Sequence, residues 1–85
     1  MRSLQFTPTA FAQFTSWTTG DRKILQRLVR LLDEVCRTPF TGIGKPEPLK
    51  RNLAGCWSRR IDDEHRLVYQ VTAEVIIVIS CRDHY

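Results

Sequence analysis

The sequence predicts an α+β sandwich in which a hairpin of two helices covers one face of a twisted antiparallel β-sheet. Three observations carry this expectation. Apolar residues recur at helical spacing through the first half of the chain, apolar–polar alternation of period two fills most of the second half, and a loop rich in proline and glycine, residues 39–48, divides them. Helices segregated from strands in this way fit a helix layer on a sheet layer, in the order β-α-α-β-β-β with room for one more strand. The 85 residues are enough for one hydrophobic core, so a single domain over residues 1–85 is expected. A content of 42% apolar and 26% charged residues is ordinary for a folded chain and excludes a disordered or low-complexity one.

Leu4 and Phe6 alternate with Ser3, Gln5 and Thr7, the pattern of a short first strand. Pro8 suits the first turn of a helix, Thr7 is placed to cap it, and Phe11, Phe14 and Trp17 recur at helical spacing, which predicts a helix over residues 8–17. Thr18, Thr19 and Gly20 break it. Asp21 then caps a second helix with Ile24, Leu25, Leu28, Leu31, Leu32 and Val35 on one face and Arg22, Lys23, Gln26, Arg27, Arg30 and Glu34 on the other. Pro39 disfavours helical geometry at Thr38, so this helix ends near Arg37. After the loop, residues 50–53 are expected as a brief strand and Ala54-Gly55 as a turn. Residues 56–61 alternate Trp57, Arg59 and Ile61 with Cys56, Ser58 and Arg60. Asp62, Asp63 and Glu64 make a polar hairpin turn, residues 65–71 the next strand, and Thr72-Ala73 another turn. Residues 75–82, with the unbroken run Val75-Ile76-Ile77-Val78-Ile79, make a strand for the sheet's centre.

Thirteen Lys and Arg against nine Asp and Glu leave a net charge of +4, and its distribution is uneven. Lys45, Lys50, Arg51, Arg59 and Arg60 share one short segment with a single acid, Glu47, so that segment holds the whole net charge. Clustered cations fit a phosphate-binding face and fit equally an ordinary solvated face. Cys36, Cys56 and Cys81 have no C-x-x-C spacing, which argues against a disulfide framework or a zinc site and predicts reduced, mostly buried thiols. His65 and His84 are the only histidines, too few to favour a metal centre, and no cofactor is expected. No run approaches the ~20 apolar residues of a membrane span, and Met1-Arg2-Ser3-Leu4-Gln5 lacks the apolar run of a signal peptide, so a cytoplasmic chain is expected.

Four positions stand out as candidates for chemistry. Glu47 sits between Pro46 and Pro48 inside the most basic stretch, where surrounding cations favour the carboxylate form that a general base needs; offsetting local charge is its plainer role. Arg66, in phase with Val68 and Gln70, falls on the sheet face that the helices leave open, where it is either functional or simply solvated. His84 and Tyr85 follow the most apolar strand directly, so that strand either holds the tail in place or lets it fray. His65, Trp17 and Trp57 read as structural.

The run Arg37-Thr38-Pro39-Phe40, Gly42, Gly44-Lys45-Pro46-Glu47-Pro48-Leu49-Lys50 continues through Asn52-Leu53, Gly55 and Trp57-Ser58-Arg59-Arg60-Ile61. With Glu64-His65-Arg66-Leu67-Val68-Tyr69, Cys81-Arg82 and His84-Tyr85, it resembles the YoeB/Txe toxins of the RelE/ParE toxin–antitoxin superfamily. The resemblance implies a fold like that of the microbial ribonucleases, with the first strand beside the last. It also implies a ribosome-dependent, metal-independent endoribonuclease that cleaves mRNA in the ribosomal A site of a bacterial cytoplasm and so inhibits translation. A cognate YefM-like antitoxin with an acidic, partly disordered C-terminal segment would silence it, and monomer and homodimer both stay open. By position, the resemblance makes Glu47 the general base, Arg66 the phosphate-stabilising cation and His84 the general acid, with Tyr85 completing the site. Lys50, Arg51, Arg59, Arg60 and Arg82 are then read as contacts to mRNA or ribosomal RNA phosphates. Asp83 departs from the Tyr or Gly common before that histidine, and strand alternation is expected to point it away. A non-catalytic RNA-binding module and a relative of the gyrase-inhibiting toxins also explain the charge, but neither needs Glu47, Arg66, His84 and Tyr85 together.

Overall fold

The computed structural model describes residues 1–82. Thr7 Oγ1 accepts from the Ala10 N–H at 3.1 Å and Pro8 fills the first helical position, so α1 spans Pro8–Thr18 directly after strand β1, Ser3–Phe6. Asp21 Oδ1 accepts from the N–H groups of Lys23 and Ile24 at 2.8 and 3.2 Å and starts α2, Arg22–Arg37, which stops two residues before Pro39. The strands that follow are β2 (Glu47–Pro48), β3 (Cys56–Arg60), β4 (Arg66–Val71) and β5 (Val75–Ser80).

The five strands form one sheet in the order β1-β5-β4-β3-β2. Neighbouring strands run antiparallel except β1, which lies parallel to β5 with Ser3 opposite Val75 and Phe6 opposite Val78. The sheet is therefore mixed, not wholly antiparallel, and the first strand does lie beside the last. A second difference concerns residues 50–53. Arg51 adopts a left-handed φ of +59°, which extended pairing does not accommodate, and Arg51–Leu53 form a single 3-10 turn. The extra strand lies just before it, where Pro46 and Pro48 hold the backbone near extended geometry and Glu47 and Pro48 pair with Ser58 and Trp57. Pro48 has no N–H to give a further strand, which suits its place on the sheet edge.

Ala10, Trp17, Leu28, Leu31, Leu32 and Val35 meet Leu67, Tyr69, Ile76, Val78 and Cys81 in the core between helices and sheet. Each large apolar side chain removed from water here contributes roughly 1.5–3 kcal/mol. One additional residue in β5, between the partners of Val68 and Tyr69, shifts the register there. The Cys81 N–H then donates to Gln13 Oε1 at 2.7 Å and the Trp17 indole N–H donates to the Cys81 carbonyl at 2.9 Å. The opposite sheet face is not entirely polar. Leu49, Cys56 and Val68, with Leu53 and Ile79, form a small apolar cluster beneath the 3-10 turn.

All three cysteines are free and buried. Burial pushes the Cys81 thiol from 9.0 up to about 11 and raises Cys36 and Tyr69 in the same direction. Between these limits the unfolded chain loses the Cys81 proton while the folded chain keeps it, so stability present below pH 9.0 falls as pH rises towards 11. A two-unit difference corresponds to a loss on the order of 2–3 kcal/mol. Urea midpoints measured across that window should fall less steeply in Cys81→Ala than in the wild type; parallel slopes would refute this source of alkaline sensitivity.

Candidate active site

Register decides which side chains share the sheet face away from the helices. Glu47 lies opposite Ser58, Ser58 opposite Val68, and Arg60 opposite Arg66. Cross-strand partners point the same way, so Glu47, Ser58, Arg60 and Arg66 occupy one end of this face. An Arg66 guanidinium N–H donates to Glu47 Oε1 at 3.0 Å, with the two side chains 22% and 51% exposed. A pair this exposed contributes only roughly 0–1 kcal/mol, so an anion can compete with Glu47 for the Arg66 guanidinium. Arg60 and Arg66, like charges placed directly opposite, add to the attraction for an anion.

The loop that presents Glu47 is held from inside. Arg59 lies on β3 in phase with Trp57, is fully buried, and donates to the carbonyls of Thr38, Thr41 and Ile43 as well as to Glu34 Oε2 and the Tyr69 hydroxyl. Tyr69 in turn donates to the Pro39 carbonyl at 2.6 Å, the Ile43 N–H donates to Glu34 Oε2 at 2.7 Å, and the Arg60 N–H donates to the Gly44 carbonyl at 2.7 Å. Gly44 and Lys45 then take successive left-handed conformations, φ +82° and +52°, which turn the chain to run beside β3. A Cβ on Gly44 would press on Leu31, the Arg59 stem and the Arg60 carbonyl at 3.0–3.1 Å.

This overturns the reading of Arg59 as an RNA or ribosome contact. Its five donors are spent within the protein and no part of it reaches solvent, so the residue organises the loop and touches no phosphate. Lys50, Arg51 and Arg60 are exposed. Arg82 is exposed too, but its guanidinium lies 4.6 Å from the Trp17 ring and donates to Ser16 Oγ at 2.7 Å, which ties it to the end of α1. His65 is buried with its ring edge against Trp17 at 4.8 Å. His84 and Tyr85, with Asp83, lie outside the described residues. Among the described residues, no three His, Cys, Asp or Glu side chains converge as metal ligands. Sequence reasoning missed Glu34 and Tyr69 as supports of the loop, and it missed Ser58 altogether. The alternation of Arg59 with Trp57 and Ile61 was the available signal for the first two; nothing in the sequence singled out Ser58.

Fold and site together define a small α+β domain in which an exposed end of the sheet joins a carboxylate to neighbouring cations. The model of the YoeB-like toxins of bacterial type II toxin–antitoxin systems matches residues 6–85. Toxin RelK of Mycobacterium tuberculosis is 52% identical over 85 residues, the full length of both chains. The YoeB/ParE toxin from Agrobacterium tumefaciens superimposes with a TM-score of 0.93 at 42% identity, covering 98% of this chain and 99% of its own. YoeB from Staphylococcus aureus matches at 42% identity, both as a dimer (TM-score 0.90, covering 99% of this chain and 98% of its own) and within a heterotetrameric YoeB–YefM complex (TM-score 0.89, covering 100% and 99%). The chain belongs to the family of YoeB-like toxins of bacterial type II toxin–antitoxin systems. No helix among the described residues is long and apolar enough to cross a membrane.

Proposed function

We propose that the protein is a ribosome-dependent endoribonuclease that cuts mRNA in the ribosomal A site of the bacterial cytoplasm. The observation that carries this reading is the Glu47–Arg66 pair, base and cation 3.0 Å apart on an exposed, basic sheet face. Glu47 takes the proton of the 2′-hydroxyl, the 2′-oxygen forms a bond to phosphorus, and Arg66 neutralises the charge that grows on the phosphorane oxygens. The bond to the 5′-oxygen breaks as His84 gives that oxygen a proton, and Tyr85 completes the site. The products are a 5′-hydroxyl and a 2′,3′-cyclic phosphate, which can open to a 3′-phosphate. DNA, lacking the attacking hydroxyl, is inert. Lys50, Arg51, Arg60 and Arg82 contact phosphates of message or ribosomal RNA.

A domain of 85 residues offers limited area to hold an RNA strand in line, so the ribosome supplies much of the alignment. Turnover of one message with and without purified ribosomes tests this: cleavage is expected only with ribosomes, and equal rates would overturn the reading.

The partner in the cell is a YefM-like antitoxin whose acidic C-terminal segment orders on binding and covers the basic face. Affinity for that antitoxin should weaken as salt rises, and cross-links from positions 60 and 66 should capture it. An interface confined to the outer face of α2 would contradict this arrangement.

A further inference from the structure

We propose that Ser58 is a positioning residue for Glu47, its hydroxyl donating a hydrogen bond to the Glu47 carboxylate when Arg66 turns from that carboxylate to the substrate phosphate. The inference rests on the proposed role of Glu47 as base. Ser58 is fully buried, and its Oγ is the buried side-chain polar atom with no hydrogen-bond partner among the described residues. Buried hydroxyls are almost always paired, because the hydration they give up must be replaced, so an orphan at a candidate site points to a partner that arrives in another state.

The register names that partner. Ser58 sits directly opposite Glu47 on β2 and directly opposite Val68 on β4, and Arg66 lies two residues along β4 from Val68. The line from Glu47 to Arg66 therefore crosses β3 between Ser58 and Arg60, and directly opposed side chains on one face have Cβ atoms only about 4.5–5.5 Å apart. In the present state the Glu47 carboxylate reaches across to the Arg66 guanidinium. A phosphate that draws Arg66 away removes a donor from the carboxylate at the moment it must be aimed at the 2′-hydroxyl. Among the described residues, Arg60 on β3 and Arg66 on β4 are cations that share this end of the face with Glu47, and both are suited to phosphate oxygens. Ser58 is the neutral donor beneath: a rotation about χ1 aims its O–H at Glu47, fixing the direction of the carboxylate while leaving lone pairs for the incoming proton.

The test compares Ser58→Ala, Ser58→Thr and Glu47→Gln on ribosomes carrying a defined message, reading single-turnover rate, ribosome affinity and Tm. Ser58→Ala is expected to cut the rate roughly tenfold to a hundredfold at unchanged affinity, with Tm at or above the wild-type value because an unpaired buried hydroxyl has been removed. Ser58→Thr, which restores a hydroxyl, should bring the rate back towards the wild-type value. A wild-type rate in Ser58→Ala overturns the proposal; a lowered Tm alongside it identifies a hydroxyl satisfied by a buried water. The two readings separate cleanly. If Glu47→Gln is inactive while Ser58→Ala is fully active, only the role of Ser58 falls, whereas full activity in both removes the base assignment itself.

Discussion

Glu47→Gln is expected to lower ribosome-dependent cleavage by roughly 10²–10⁴-fold while leaving the fold unchanged. The substitution keeps the shape of the side chain and still allows a hydrogen bond to Arg66, but an amide oxygen cannot accept the 2′-hydroxyl proton at useful rates. Glu47 is half exposed and its ion pair adds little to stability, so Tm should shift by no more than a few degrees. Arg66→Ala should cost a similar factor, because it removes the charge facing the phosphorane oxygens and leaves Arg60 one strand across on β3. Lys50→Ala should behave differently, weakening ribosome binding with little effect on the rate of the bound complex. Single-turnover rates and ribosome affinities, measured on the same variants, distinguish these outcomes. Wild-type cleavage by Glu47→Gln would remove the assignment of Glu47 as the base, whereas a wild-type protein that binds programmed ribosomes without cutting the message would favour a binding module.

The largest effect on stability is expected at Arg59. Arg59→Ala leaves the Glu34 carboxylate without its guanidinium and strips donors from the carbonyls of Thr38, Thr41 and Ile43 and from the Tyr69 hydroxyl. Arg59 is fully buried and Glu34 one-third exposed, so the lost ion pair and the lost donors to buried carbonyls together cost on the order of 3–5 kcal/mol. A chain of this size is stable by only roughly 4–13 kcal/mol, so the loss is a large fraction of the whole. Thermal unfolding should begin more than about 10 °C lower, and Arg59→Lys should recover only part, since one ammonium cannot span the directions that the planar fork serves. A Tm for Arg59→Ala within a few degrees of wild type would show that the loop does not depend on this network.

The helices were legible because their signals are local. Thr7 with Pro8 and Asp21 mark the starts, Pro39 marks the end, and the apolar spacing of α2 names the face that is buried. The strands β3, β4 and β5 were legible as alternation or apolar run. β2 was not, since two residues have no period, and its pairing depends on a loop fixed by Arg59 from across the core. The burial of Arg59 was written in its phase with Trp57 and Ile61, yet its charge argued for the surface. Charged residues go inside only with partners, and the partners are Glu34, far back on the polar side of α2, and three loop carbonyls that no sequence displays. Likewise Glu47 and Arg66 were each visible as candidates, but their contact follows from a register that joins β2 to β4 through β3. The parallel placement of β1 against β5 is also a tertiary outcome, since residues distant in sequence set its direction.

Attack by the 2′-hydroxyl, with Glu47 taking its proton, is most directly tested by a message bearing a single 2′-deoxynucleotide at the cleavage position. Ribosomes carrying the all-ribose message should yield a 5′-hydroxyl fragment and a fragment ending in a 2′,3′-cyclic phosphate or 3′-phosphate, while the deoxy-substituted message stays intact at that position. Cleavage of the substituted message at the same rate, or a fragment beginning with a 5′-phosphate, would contradict the mechanism.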